Sequence, residues 1–300
     1  MKLEGLHHIT MITGDANATV AFYAETLGLR LVKKTVNFDQ PDAYHLYFGD
    51  ETGAPGSILT WFEFAGAAPG SPGIGDVHTL QLGVGSTAAL DFWAARLPGA
   101  QREGDVLRFA DPDALALELV LGVNPPLRAM HPEIPAEHAI TGLEGARAYG
   151  GFANVEERLL TDTLGFTWLG GGAYRLDGEE RSFRWAYDAP VAHGRQGAGT
   201  VHHIAWASRD DDHLAWQARV QDAGGLVTDV RDRDYFRSIY FREPRGVLFE
   251  IATLSPGFAV DEDPEHLGEA LRLPAQHEHL RAQLERTLTP VENPRARVRA

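Results

Sequence analysis

Along the chain, apolar side chains alternate with polar or small ones in short runs, a period of two that predicts half-buried strands. Between these runs the spacing shifts to the three-and-four rhythm of amphipathic helices. One combination recurs. FYAETLGLRLV at 22–32 and LLTDTLGFTWL at 159–169 each pass from a helix through Thr-Leu-Gly into an apolar strand. Glycine takes the left-handed turn at a helix C-terminus readily, so Gly28 and Gly165 mark matching helix ends. Two weaker copies fill the gaps, giving four βαβββ modules and an α+β class. The first strands are LHHITMI, DVHTLQLGV, TGLEGARAY and TVHHIAWAS, and the last are SILTWFEF, ALALELVL, SFRWAYD and GVLFEIATL. Helices are predicted near 17–27, 87–96, 154–164 and 211–223.

The Pro-rich stretch GVNPPLRAMHPEIP at 122–135 separates the second and third modules, as a linker does. The expected division is 1–130 for modules one and two, 131–258 for modules three and four, and 259–300 for a tail. That tail carries a predicted helix, AQHEHLRAQLERTL, packed on the outside.

Composition narrows the chemistry. The formal charge is −15, from 27 basic against 42 acidic residues, and no basic run offsets it locally. Phosphate backbones and anionic membrane surfaces are repelled, so nucleic acid and membrane are not expected partners. The chain has no cysteine, so any metal is held by His, Asp or Glu, a donor set suited to iron, manganese or zinc. The N-terminal MKLEGLHHIT lacks the apolar core of a signal peptide, and a cytoplasmic protein is expected.

Alternate strand residues face opposite ways. In LHHITMI, His8, Thr10 and Ile12 therefore share one face, and His7, Ile9 and Met11 the other. The same division applies to VHHIAW, which leaves His8 and His203 on the concave side. In GVLFEIA, Glu250 is a carboxylate in an otherwise apolar strand, an expensive placement unless the group is paired or bound to a metal. Aligned by their helices, the modules put His78 at the place of His8 in module two, Gly145 there in module three, and His203 there in module four. The place of Glu250 is held by Thr60, Glu118 and no acid in modules one to three. One combination is complete: His8, His203 and Glu250, two histidines and a carboxylate, the facial triad of non-haem Fe(II) oxygenases. A lone half-buried histidine is more often a satisfied core residue, and only the recurrence of the pair outweighs that reading. His78 and Glu118 read as a vestige or a satisfied polar pair. His45, His131, His138, His193, His213, His266, His277 and His279 read as solvated. Upstream of Glu250, RDRDYFRSIYFREPRGVLFE is rich in Arg and aromatics. Tyr240, on the neighbouring strand, Arg233 and Arg237 are placed to hydrogen-bond an oxygenated substrate.

These features resemble the vicinal oxygen chelate superfamily. LHHIT, GTVHHIAW and YFRSIYFREPRGVLFEIAT together resemble its hydroquinone-type ring-cleaving dioxygenases. The resemblance implies modules paired into two open, barrel-like mixed sheets around Fe(II), or alternatively Mn(II), held by His8, His203 and Glu250. It implies supporting or catalytic roles for His7, Thr10, His202, Arg233 and Tyr240, with His202 as acid/base candidate. The implied reaction inserts both atoms of O2 into a dihydroxylated aromatic, a hydroquinone. The expected partners are that small aromatic and O2, and a homo-oligomer is compatible with the chain. Catechol-cleaving relatives take their first His from module three, where Gly145 stands. A glyoxalase-type lyase normally wants a fourth ligand, an acid at the place of Thr60. A non-catalytic binder of small molecules, as in bleomycin resistance, is the third alternative.

Overall fold

A computed structural model describes residues 1–150 and 158–299. Module one comprises β1 (Leu3–Thr13), α1 (Ala16–Val20), β2 (Arg30–Val36), β3 (Tyr44–Gly49) and β4 (Ile58–Glu63). Module two comprises β5 (Val77–Val84), α2 (Thr87–Arg96), β6 (Gln101–Glu103), β7 (Val106–Ala110) and β8 (Ala116–Leu121). Module three contributes β9 (Ile140–Tyr149), β10 (Thr167–Gly170), β11 (Ala173–Asp177) and β12 (Ser182–Asp188). Module four is β13 (Val201–Ser208), α3 (His213–Asp222), β14 (Arg231–Asp232), β15 (Arg237–Arg242) and β16 (Leu248–Thr253). The tail carries α4 (Arg281–Thr287) and α5 (Pro294–Arg299).

The helix starts follow their capping residues. Asp15 accepts from the Ala18 amide ahead of α1, and Ser86 accepts from the Ala89 amide ahead of α2. After Val20 the first helix widens into a π-type turn over Ala21–Thr26, then ends at Gly28 with φ +73°. Gly165 repeats that left-handed turn at φ +81° after a π-type turn over Leu159–Thr163. The start of the helix expected at 154–164 lies outside the described residues.

The eight strands of one sheet run β14-β15-β16-β13-β1-β4-β3-β2, and those of the other β10-β11-β12-β9-β5-β8-β7-β6. Module one thus shares a sheet with module four, and module two with module three. In the first sheet β1 and β13 pair antiparallel at the centre, and each pairs parallel with the last strand of its own module. The two sheets share one apolar core. Trp185 of β12 meets Trp206 of β13 at 6.0 Å between ring centroids, and Phe249 of β16 at 5.6 Å. The helices cover the same side with Trp93 and Trp216, both fully buried. Among the described residues no helix is long and apolar enough to cross a membrane.

The central ladder is irregular at three places, two of them at the histidine pairs. Leu6 faces Trp206 while His8 faces Ala205, which leaves His7 as an extra residue; Thr10 faces His203 while Met11 faces Val201, which leaves His202 as another. Each His-His pair therefore sits on a β-bulge, a device that re-aims side chains near functional sites.

The tail does more than cover the outside. It seals edge strand β2: Leu271 bridges to Lys34, Asn293 donates to the Leu31 carbonyl, and the Lys34 ammonium donates to the Val291 carbonyl. Covering an edge removes a row of unpaired backbone groups that would otherwise invite association. Lys33, fully buried, pairs with Asp261 at 2.6 Å and with buried Glu262. Lys33→Met strands the Glu262 carboxylate, leaving it the Gly268 amide at 3.4 Å and Arg272 at 3.6 Å. The substitution is expected to lower unfolding free energy by about 3 kcal/mol, read as a shift in the urea midpoint.

Candidate metal centre

Register alone assembles the cluster. His8 and Glu250 both stand beside Ala205 on the neighbouring strands, His203 shares the face of Ala205, and Thr10 stands opposite His203. Ala205 is small and fully buried, so the longer side chains of β1 and β16 can meet over it. His8 Nε2 lies 3.3 Å from His203 Nε2 and 3.4 Å from Glu250 Oε2, and His203 Nε2 lies 2.9 Å from Glu250 Oε2. All three residues are buried.

The fixed hydrogen bonds leave these donor atoms for something else. The Thr253 carbonyl can only accept, so His7 Nε2 donates to it at 3.1 Å. Burial, reinforced by neighbouring His8, lowers His7 to about 3, so its ring is neutral and its Nδ1 accepts from His8 Nδ1 at 2.9 Å. His8 Nε2 then points toward the cluster. His202 and His203 repeat the Nδ1 contact at 2.8 Å. Ser238 donates to Glu250 Oε1, while Glu250 Oε2 is buried without a hydrogen bond. Burial pushes the Glu250 carboxyl up, but His8 and His203 outweigh it and hold it well below the usual carboxylate range. An ion about 2.1 Å from three donors at near right angles holds them about 3 Å apart. The observed triangle, its orphaned carboxylate oxygen and its nitrogen and oxygen donors fit one metal ion.

The remaining expected residues surround the cluster. Thr10 Oγ1 lies 2.9 Å from His203 Nε2. Arg233 Nε donates to the Tyr240 hydroxyl at 3.3 Å, Arg233 also reaches Asp39 at 3.2 Å, and Tyr240 stands opposite Glu250 in the β15–β16 ladder. Arg237 is exposed and away from the cavity. His202 reaches the surface, yet desolvation and then His203 lower its pKa, a departure from the near-neutral value expected of an unperturbed histidine. A cavity of about 420 Å³ opens over the cluster, lined among others by His8, His203, Arg233, Phe62, Phe236 and Tyr240. Phe38 and Asp39 form part of its mouth, and the tail holds this loop through Gln276 and His277, both bonded to the Phe38 carbonyl.

The second sheet repeats the layout without the site. Its ladder bulges at His78, so Thr79, not His78, stands where β1 carries His8. The correction is one residue, invisible to an alignment on helices. His78 stacks on Tyr149 and bonds Asp188 at 2.8 Å, while Glu118 accepts from Gln81 and Arg108. Two histidines read as solvated are buried: His45 on β3, and His213 beside Ser208 at the start of α3. Sequence reasoning also passed over Ser238, although its place two residues before Tyr240 puts it on the face of Glu250. Tyr47 and Phe236 were missed as cavity residues, because an aromatic that lines a cavity and one that packs in the core look alike in sequence.

The glyoxalase/bleomycin resistance protein/dioxygenase superfamily profile matches residues 5–119 and 158–251. The chain belongs to this superfamily. Within it, MhqO of Bacillus subtilis (strain 168), provisionally named a ring-cleaving dioxygenase, is 43% identical over 97% of both chains. The chlorohydroquinone/hydroquinone 1,2-dioxygenase of Sphingobium indicum is 32% identical over 96% of both. A crystal structure from Bacillus subtilis, also provisionally named a dioxygenase, superimposes with a TM-score of 0.90 at 41% identity, covering 97% of this chain and 98% of the other. The α+β architecture of two eight-stranded mixed sheets is that of the superfamily.

His8→Ala is expected to abolish binding of Fe(II) or Mn(II), assayed as metal per chain after anaerobic loading, while His78→Ala retains it. Ser238→Ala frees Glu250 Oε1 and is expected to weaken metal affinity about 10- to 100-fold.

Proposed function

We propose that the protein is a metal-dependent, ring-cleaving dioxygenase that inserts both atoms of O2 into a hydroquinone, with Fe(II), or alternatively Mn(II), held by His8, His203 and Glu250. The observation that carries this reading is the three-donor cluster on the floor of an aromatic cavity, with Thr60 where a fourth acidic ligand would stand. The names of the relatives agree with it. When bound, such a metal offers open positions to a substrate oxygen and to O2, and lets electron density pass between them.

The chain's own residues do the rest. Phe62, Phe64, Phe236 and Leu248 line the cavity; they hold an aromatic ring and keep water away. Arg233 donates onto the Tyr240 oxygen, so the phenol proton faces the substrate oxygen and the guanidinium charge supports an anion there. Burial, then the Glu250 charge, keeps Tyr240 protonated by raising its pKa. His202 lines both the substrate cavity and a more polar one of about 310 Å³ that includes Asp76, His193 and Arg242. That position between the two suits the acid/base residue, which must exchange protons with solvent. His7 and Thr10 hold the ligand imidazoles in place. A cytoplasmic setting, where small aromatics and O2 diffuse freely, completes the proposal.

Oxygen uptake by the anaerobically iron-loaded protein tests it against a panel of hydroquinones and catechols. Uptake of one O2 per hydroquinone is expected, with kcat lowered about 100-fold in Tyr240→Phe. Uptake with catechols alone, or with neither class, contradicts it.

A further inference from the structure

The two halves of the first sheet are related position by position. Tyr240 faces Glu250 across the β15–β16 ladder, and Tyr47 faces Thr60 across β3–β4. Thr60 lies beside Thr10 of β1 as Glu250 lies beside Ala205 of β13. Two residues upstream, Ser238 bonds Glu250 and His45 bonds Thr60, the latter at 2.6 Å. Module one therefore mirrors the tyrosine wall of module four, with a threonine where the metal-ligating acid would be.

That second wall is wired. Tyr47 donates to His45 Nδ1 at 2.8 Å, His45 Nε2 donates to Thr60, Thr60 donates to Thr10 at 3.2 Å, and Thr10 meets His203 at 2.9 Å. In this direction the Tyr47 hydrogen is spent on His45 and the Tyr47 oxygen keeps an acceptor lone pair. Tyr47 and His45 line the same cavity as the cluster, three strands away from His203 at roughly 4.8 Å per strand. Phe62, Phe64 and Phe236 make much of the lining between the two polar walls apolar.

We propose that Tyr47, oriented by His45, accepts a hydrogen bond from the substrate hydroxyl on the side of the ring away from the metal. This rests on the ring-cleaving reading and deepens it. A cavity with tyrosines at mirrored positions matches a ring with hydroxyls at opposite ends, a 1,4-diol. A 1,2-diol leaves Tyr47 without a partner.

Anaerobic titration of the iron-loaded protein with hydroquinone and with phenol, which lacks the second hydroxyl, reads this directly. Hydroquinone is expected to bind about 10-fold more tightly than phenol, since the one added hydrogen bond contributes up to about that factor. In Tyr47→Phe the gap should shrink to within about 2-fold, with phenol affinity and iron content unchanged. A gap that persists in Tyr47→Phe, or phenol weakened as much as hydroquinone, overturns the proposal. On the unmodified protein alone, 4-methoxyphenol has no proton to donate and should bind like phenol; binding as tight as hydroquinone overturns it too. These titrations need no turnover. Failed oxygen uptake would count against ring cleavage while leaving the binding gap readable.

Discussion

The antiparallel seam between β1 and β13 is the constraint on which the rest depends. It joins the first and last modules of a chain whose middle modules form a separate sheet, and so brings residues nearly two hundred positions apart into one ladder. Two of its three irregularities fall at His7 and His202, the residues just before the two candidate ligands. Without the bulges, strict alternation would turn adjacent histidines to opposite faces. With them, each pair folds into an edge-on contact, ring centroids 5.0 and 5.1 Å apart, that lets one imidazole fix the orientation of the next. The candidate metal site is in this sense a property of the seam before it is a property of any one residue.

The environment of the cluster is costly in the absence of an ion. Two imidazoles and a carboxylate are packed within hydrogen-bonding distance, all buried, and one carboxylate oxygen is unsatisfied. Burying an ionised carboxylate is tolerable only when it is paired or coordinated. The Ser238 hydroxyl takes one oxygen and the geometry reserves the other, so the arrangement is preorganised for a cation. Ala205 matters as much by what it lacks: a larger residue there would fill the space in which His8 and Glu250 meet.

Much of this was legible in the chain. The four modules, the helix over 87–96, the glycine-marked helix ends at Gly28 and Gly165, and the selection of His8, His203 and Glu250 all follow from periodicity, turn chemistry and repeat alignment. What escaped was set by register and burial. Bulges shift pairing by one residue without any signature in composition, which is why His78 was aligned with His8 when Thr79 holds that place. Strand β3 is buried on both faces, so alternation could not show that His45 points inward. Arg233, Asp39 and the tail meet at the cavity mouth through contacts between segments distant in sequence, which no local pattern encodes.

The central claim is that a single ion sits within the triangle of His8, His203 and Glu250. Anomalous diffraction at the iron edge from crystals of the iron-loaded protein tests it most directly. One peak per chain is predicted, about 2.1 Å from His8 Nε2, His203 Nε2 and Glu250 Oε2. A peak elsewhere, at the His78 cluster of the second sheet for instance, or no ordered iron in the triangle, would contradict the account.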